Sequence, residues 1–128
     1  MGRLSDNGPA TIDDLARQLK IKVGVAKRLT KEVASYENEA VAQEQKIADM
    51  RERGQDIYDI KKQEEVLQES YMMIPDSKAR LQAAVEDLEA FVTEHQEVKG
   101  LQESDILAEA TALVNQATTA ATATTTGI

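Results

Sequence analysis

Cysteine and tryptophan are absent from the 128 residues, and phenylalanine occurs once, as Phe91. Without cysteine there are no disulfides and no thiolate metal sites. With aromatics at 3%, the chain lacks the bulk with which a compact globule usually fills one deep core. Long helices sharing a narrow apolar seam do not need it. Proline occurs twice, at Pro9 and Pro75, and glycine six times. No apolar run approaches the length of about 18 residues that a membrane helix requires, and the N-terminus shows no signal-peptide pattern. These absences lead to the expectation of a soluble, cytoplasmic protein with no membrane partner. What the chain has in quantity is Ala, Glu, Lys, Gln, Leu and Val, a helix-forming composition.

The formal net charge of −8 argues against nucleic acid as a partner. That charge is unevenly spread. Arg17, Lys20, Lys22, Lys27, Arg28 and Lys31 form a stretch with no acidic residue, whereas from Gly54 onward five basic residues face fourteen acidic ones. A basic stripe on an acidic protein is either a solvated helix face or a contact surface for an acidic partner.

Residues 1–11 read as a disordered leader, broken by Gly8 and Pro9. Thr11 offers a helix N-cap, with Asp14 three residues on. From Ile12 a heptad repeat runs through Leu19, Ala26, Val33, Ala40 and Ile47, interleaved with Leu15, Lys22, Leu29, Tyr36, Gln43 and Met50. Lys22 and Gln43 interrupt this stripe and are candidate register-setting positions. Arg53 and Gly54 close a first helix over 12–53, about 60 Å long. The short link Gly54-Gln55-Asp56 forces an antiparallel return, with Asp56 as the next N-cap. A second stripe then runs through Ile60, Leu67, Ile74, Leu81, Leu88 and His95, giving a helix over 57–99 that ends at Gly100. Pro75 lies inside it and predicts a kink, because it has no N–H for the carbonyl of Tyr71. Ser104 begins a shorter third helix, expected over 102–117. The threonine-rich residues 118–128 read as a disordered tail. The predicted fold is all-α: an elongated, antiparallel three-helix bundle over 12–117, coiled-coil-like, with a proline-kinked second helix.

Catalytic chemistry is sparse. His95 sits at the end of a seam with no acid–base partner recognisable by spacing. Glu64-Glu65 and Glu86-Asp87-Glu89 read as solvated helix faces. The glycines form no phosphate-cradling loop. Met73 reads as packing, and Met72 as either packing or an adaptable binding surface. The reading is a non-enzyme with no cofactor and no metal.

The run Tyr58-Asp-Ile-Lys-Lys-Gln-Glu-Glu-Val-Leu-Gln-Glu-Ser-Tyr-Met-Met-Ile-Pro-Asp76 closely resembles the signature of the tubulin-binding cofactor A family. The stretch Leu19–Glu32, Tyr36-Glu37 and Lys46–Met50 resemble the same family, so the likeness covers about residues 17 to 92. The resemblance implies a three-helix bundle that captures β-tubulin released from the cytosolic chaperonin and keeps it for assembly with α-tubulin. It implies no nucleotide and no metal, and allows other tubulin-folding cofactors as partners. It also points to Tyr58, Asp59, Lys61, Lys62, Glu65, Gln68, Glu69 and Tyr71 as contact positions. Lys20, Lys27, Arg28 and Lys31 form a second set suited to an acidic partner. The chain departs from the family pattern at Tyr71, where arginine is usual, and at Ser77, where cysteine is frequent. A prefoldin-like client holder is disfavoured, since Gly54-Gln55-Asp56 leaves no room for inserted strands. The alternative reading is a self-associating helical scaffold, and the sequence leaves monomer and homodimer open.

Overall fold

The computed structural model describes residues 11–126; the expected leader, save Thr11, and the last two residues of the expected tail lie outside them. Among the described residues there are three helices and no strand: α1 (Ile12–Glu52), α2 (Ile57–His95) and α3 (Asp105–Thr126). The all-helical, three-helix architecture is the one the periodicity predicts.

Each helix starts on a side-chain cap. The amide of Asp14 donates to Thr11 Oγ1 at 3.1 Å, and the Thr11 amide donates back to Asp14 Oδ2 at 3.4 Å, a reciprocal capping box. At α2 the Tyr58 amide donates to Asp56 Oδ1 at 2.9 Å, and at α3 the Leu107 amide donates to Ser104 Oγ at 3.3 Å. The end of α1 is a Schellman arrangement: Gln55 N–H bonds the Met50 carbonyl, Gly54 N–H bonds the Arg51 carbonyl, and Gly54 takes φ 66°.

The chain divides into two compact units. Among the described residues the first joins 11–26 with 83–126. Here three helices share an apolar core of Leu15, Leu19, Val23 and Ala26 from α1, Leu88 from α2, and Leu107, Ala110 and Val114 from α3. Leu101, from the turn before α3, completes it at 0% exposure. Lys22 does not simply interrupt the stripe. Its Nζ lies 2.7 Å from Asp87 Oδ2 and 5.5 Å from the Phe91 ring centre, so a half-buried cation ties α1 to α2.

The second unit, Lys27–Gln82, is an antiparallel hairpin of α1 and α2 with far less apolar matter. Its buried cluster is Ile47, Met50 and Ile60, with Leu67 packed against it; Val33 and Ala40 are buried outside that cluster. Polar pairs do much of the joining. Gln43 Nε2 donates to the carbonyl and the side-chain oxygen of Gln63, at 3.2 and 2.6 Å. Glu32 accepts from Arg80 at 2.5 Å and from the Ser77 hydroxyl at 3.4 Å, with Ser77 wholly buried. Lys78 pairs with Glu37 at 3.2 Å, and Arg51 with Glu64.

Four boundaries differ from those read from the sequence, the end of α1 by a single residue, at Glu52 instead of Arg53. Helix α2 stops at His95 instead of residue 99, because the chain turns through Val98–Ser104 with Gly100 at φ 92°. Helix α3 starts later, at Asp105, and runs to Thr126 instead of ending at residue 117. Alanine is frequent in its last turns, and the Thr111 and Thr118 hydroxyls bond back to the carbonyls of Leu107 and Val114 at 2.9 Å, so threonine is accommodated within the helix. Ile12, placed on the apolar stripe, is 39% exposed. Helix α2 is continuous through Pro75.

A Cβ at Gly100 would stand 3.3 Å from Ile12 Cδ1, on backbone that side chains rarely adopt. Gly100→Ala should therefore lower stability by about 1–2 kcal/mol, chiefly from the left-handed backbone. Urea unfolding followed by helical circular dichroism measures it; an unchanged midpoint would show that this turn relaxes freely.

Candidate functional site

All twelve positions picked out as partner contacts are exposed. Lys20 belongs to the first unit, and the other eleven to the Lys27–Gln82 hairpin. On α2, residues three and four apart share a face, so Tyr58, Lys62, Glu65 and Glu69 form one strip directed away from the buried Ile60. Lys61 and Gln68 border the strip on one side and Asp59 on the other. Lys27 and Lys31 sit one turn apart on α1, with Arg28 beside them.

The strip is not purely polar. Met72 continues it at 71% exposure, Tyr58 is 73% exposed, and Val66 and Met73 flank it. Met73, read from the sequence as packing, is thus exposed. It and Val66 each stand one residue before a stripe position, Ile74 and Leu67, and single-residue chemistry carried no sign of their exposure. At the turn of the hairpin, Asp59 and Lys62 line an open cleft of about 420 Å³ together with Lys46, Asp49, Met50 and Arg53. Its walls carry both signs of charge, which suits a polar contact better than an apolar ligand.

Tyr71 has a defined partner. Its hydroxyl donates to the Glu44 carboxylate across the hairpin. That hydrogen bond, helped by desolvation and the nearby negative charge, raises the phenol above the ordinary tyrosine range. Arg80 is likewise raised, mainly by its hydrogen bond to Glu32. Glu44 carried no signal in the sequence, since its role depends on a residue 27 positions away.

For catalysis or metal binding the geometry offers little. His95 Nδ1 lies 3.0 Å from the Phe91 carbonyl, and its ring lies tilted against that of Phe91 with centroids 4.3 Å apart, a local packing contact. Of the carboxylates paired in sequence, Glu64 is taken up by Arg51 and Asp87 by Lys22. Among the described residues no group of His, Asp and Glu is placed to hold a metal ion, and no helix is long and apolar enough to cross a membrane.

These features define a class: an all-helical protein whose candidate site is an open helix surface, not a closed cavity. The sequence model for tubulin binding cofactor A matches residues 14–114. The human tubulin-specific chaperone A is 50% identical over 91 residues, covering 71% of this chain and 84% of the human one. The crystal structure of tubulin folding cofactor A from Arabidopsis thaliana superposes with a TM-score of 0.73 at 42% identity, covering 80% of this chain and 94% of that one. The human tubulin chaperone cofactor A structure gives a TM-score of 0.67 at 46% identity, covering 81% and 98%. The chain belongs to the tubulin binding cofactor A family.

The Tyr71–Glu44 contact has a pH signature. A phenol whose folded pKa is raised contributes stability that is fully present below the unfolded value of about 10 and is lost as pH rises through the folded one. In a Tyr36→Phe, Tyr58→Phe background, the absorbance titration of Tyr71 should lie above that of free tyrosine, and Glu44→Gln should bring it down. Identical titrations with and without Glu44 would show that the contact does not persist in solution.

Proposed function

We propose that this protein is a tubulin-folding cofactor that captures and stabilises β-tubulin after its release from the cytosolic chaperonin, holding it for assembly with α-tubulin. The observation that carries this reading is the 50% identity with human tubulin-specific chaperone A across 84% of that chain. The hairpin surface supports it physically. A partly apolar strip within exposed charged residues provides area for a large partner while keeping the free protein soluble. Such a chaperone works by binding alone, in the cytoplasm, with no nucleotide, metal or catalytic step, and it hands its client on to other tubulin-folding cofactors or to α-tubulin.

In this reading the contact set is Tyr58, Asp59, Lys61, Lys62, Glu65, Gln68, Glu69 and Tyr71 on α2, extended by Met72. Lys20, Lys27, Arg28 and Lys31 aid the encounter with an acidic client. Pro75 bends α2 so that its outer face follows the client surface, and Gly54 holds the turn.

Size-exclusion chromatography against folding-competent free β-tubulin, with free α-tubulin and intact heterodimer as controls, tests the function. Co-elution with β-tubulin alone is expected. Co-elution with none, from a well-folded helical sample, would leave the self-associating scaffold as the better account. The association rate with β-tubulin should fall as salt rises, by screening of the lysines and Arg28; a rate indifferent to salt removes them from the encounter. Pro75→Ala should keep the helical spectrum and weaken capture, whereas unchanged affinity would make the proline incidental.

A further inference from the structure

Nothing among the described residues calls for glycine at position 24. It lies well inside α1, where glycine weakens a helix relative to alanine. Gly54 and Gly100 have reasons of their own: both take positive φ, and a Cβ at Gly100 would crowd Ile12. Gly24 keeps ordinary helical backbone, and a Cβ built there would meet nothing within 4 Å. A methyl group would fit and would strengthen the helix. The use left for a bare Cα is to let a second backbone approach from outside.

The residues around the glycine define what approaches. Helix spacing groups Arg17, Lys20, Ile21 and Gly24 on the side of α1 away from the buried Leu15, Leu19, Val23 and Ala26. Ile21 is 60% exposed, an apolar side chain one turn before the notch. Lys20 is exposed beside it, and the Arg17 side chain is 70% exposed while touching Asp14 at 3.4 Å. From Leu15 to Ala26 there is no carboxylate, although the chain as a whole is acidic. Arg17 to Gly24 spans about 10 Å along the axis, the width of one crossing helix. The distance between two packed helices depends on the side chains at their crossing, and glycine makes it smallest. We propose that an acidic helix of the client crosses α1 at Gly24, with its backbone close against the glycine, its apolar flank on Ile21, and its carboxylates facing Arg17 and Lys20. This deepens the β-tubulin reading and rests on it.

Stability and capture should move in opposite directions, which a purely structural role of Gly24 would not produce. Gly24→Ala should raise the thermal midpoint by a few degrees, yet weaken affinity for folding-competent free β-tubulin about tenfold. Gly24→Leu should weaken it further while the helical spectrum stays native. Ala90→Leu, an equal enlargement at an exposed position of α2, should leave capture unchanged. The occupant is read by a benzophenone side chain substituted at Ile21: irradiation with β-tubulin should attach it to an acidic helical segment of the client. A well-folded Gly24→Leu chain with native affinity overturns the proposal and leaves the chaperone reading standing. So does a cross-link to a basic or non-helical segment, or an equal loss from Ala90→Leu. A native chain that captures no β-tubulin overturns both.

Discussion

The Lys27–Gln82 hairpin must be held together with very little apolar surface. Its buried cluster is three residues, and long stretches of the helix–helix contact meet through Gln43–Gln63, Glu44–Tyr71, Glu37–Lys78 and Glu32–Arg80. Exposed ion pairs of this kind contribute little stability each. They do, however, discriminate between registers, because a slide of one turn would separate several partners at once. The apolar cluster beside the turn supplies attraction, and the polar pairs fix which residues face which.

That constraint shapes what is left outside. A helix pair with a narrow seam leaves most of its circumference exposed, which is why a strip such as Tyr58–Met72 can be broad and mixed in character. The first unit works differently. Leu19, Leu88 and Leu101 are fully enclosed, and three helices converge on them. Stability should be concentrated there, while the hairpin depends on weaker contacts and leaves its long faces exposed.

Much of this was legible in the sequence for physical reasons. Caps at Thr11, Asp56 and Ser104 are short-range chemistry, and the turn at Gly54 follows from a cation, a glycine and a short link. The stripe positions Leu19, Ala26, Ala40, Ile47 and Leu88 followed from period alone. Val23 was missed because a strict seven-residue template slips against a helix of 3.6 residues per turn. Ser77 was missed because burial of a hydroxyl depends on Glu32, far away in sequence. Leu101 lies in a turn, where no periodicity applies. The Tyr58–Asp76 run was readable as a resemblance to the family, but Tyr71's attachment to Glu44 is a tertiary fact with no local trace.

The connector between α2 and α3 behaves unlike an ordinary loop. Gly100 takes a left-handed backbone where a side chain would crowd Ile12, and the next residue, Leu101, is fully enclosed. Two adjacent positions are thus fixed for opposite reasons, one by the main chain and one by the side chain. Inserting or deleting one residue here would displace Leu101 from the enclosed core of the first unit and leave a cavity behind, so the length of this connector is set by packing and not by reach.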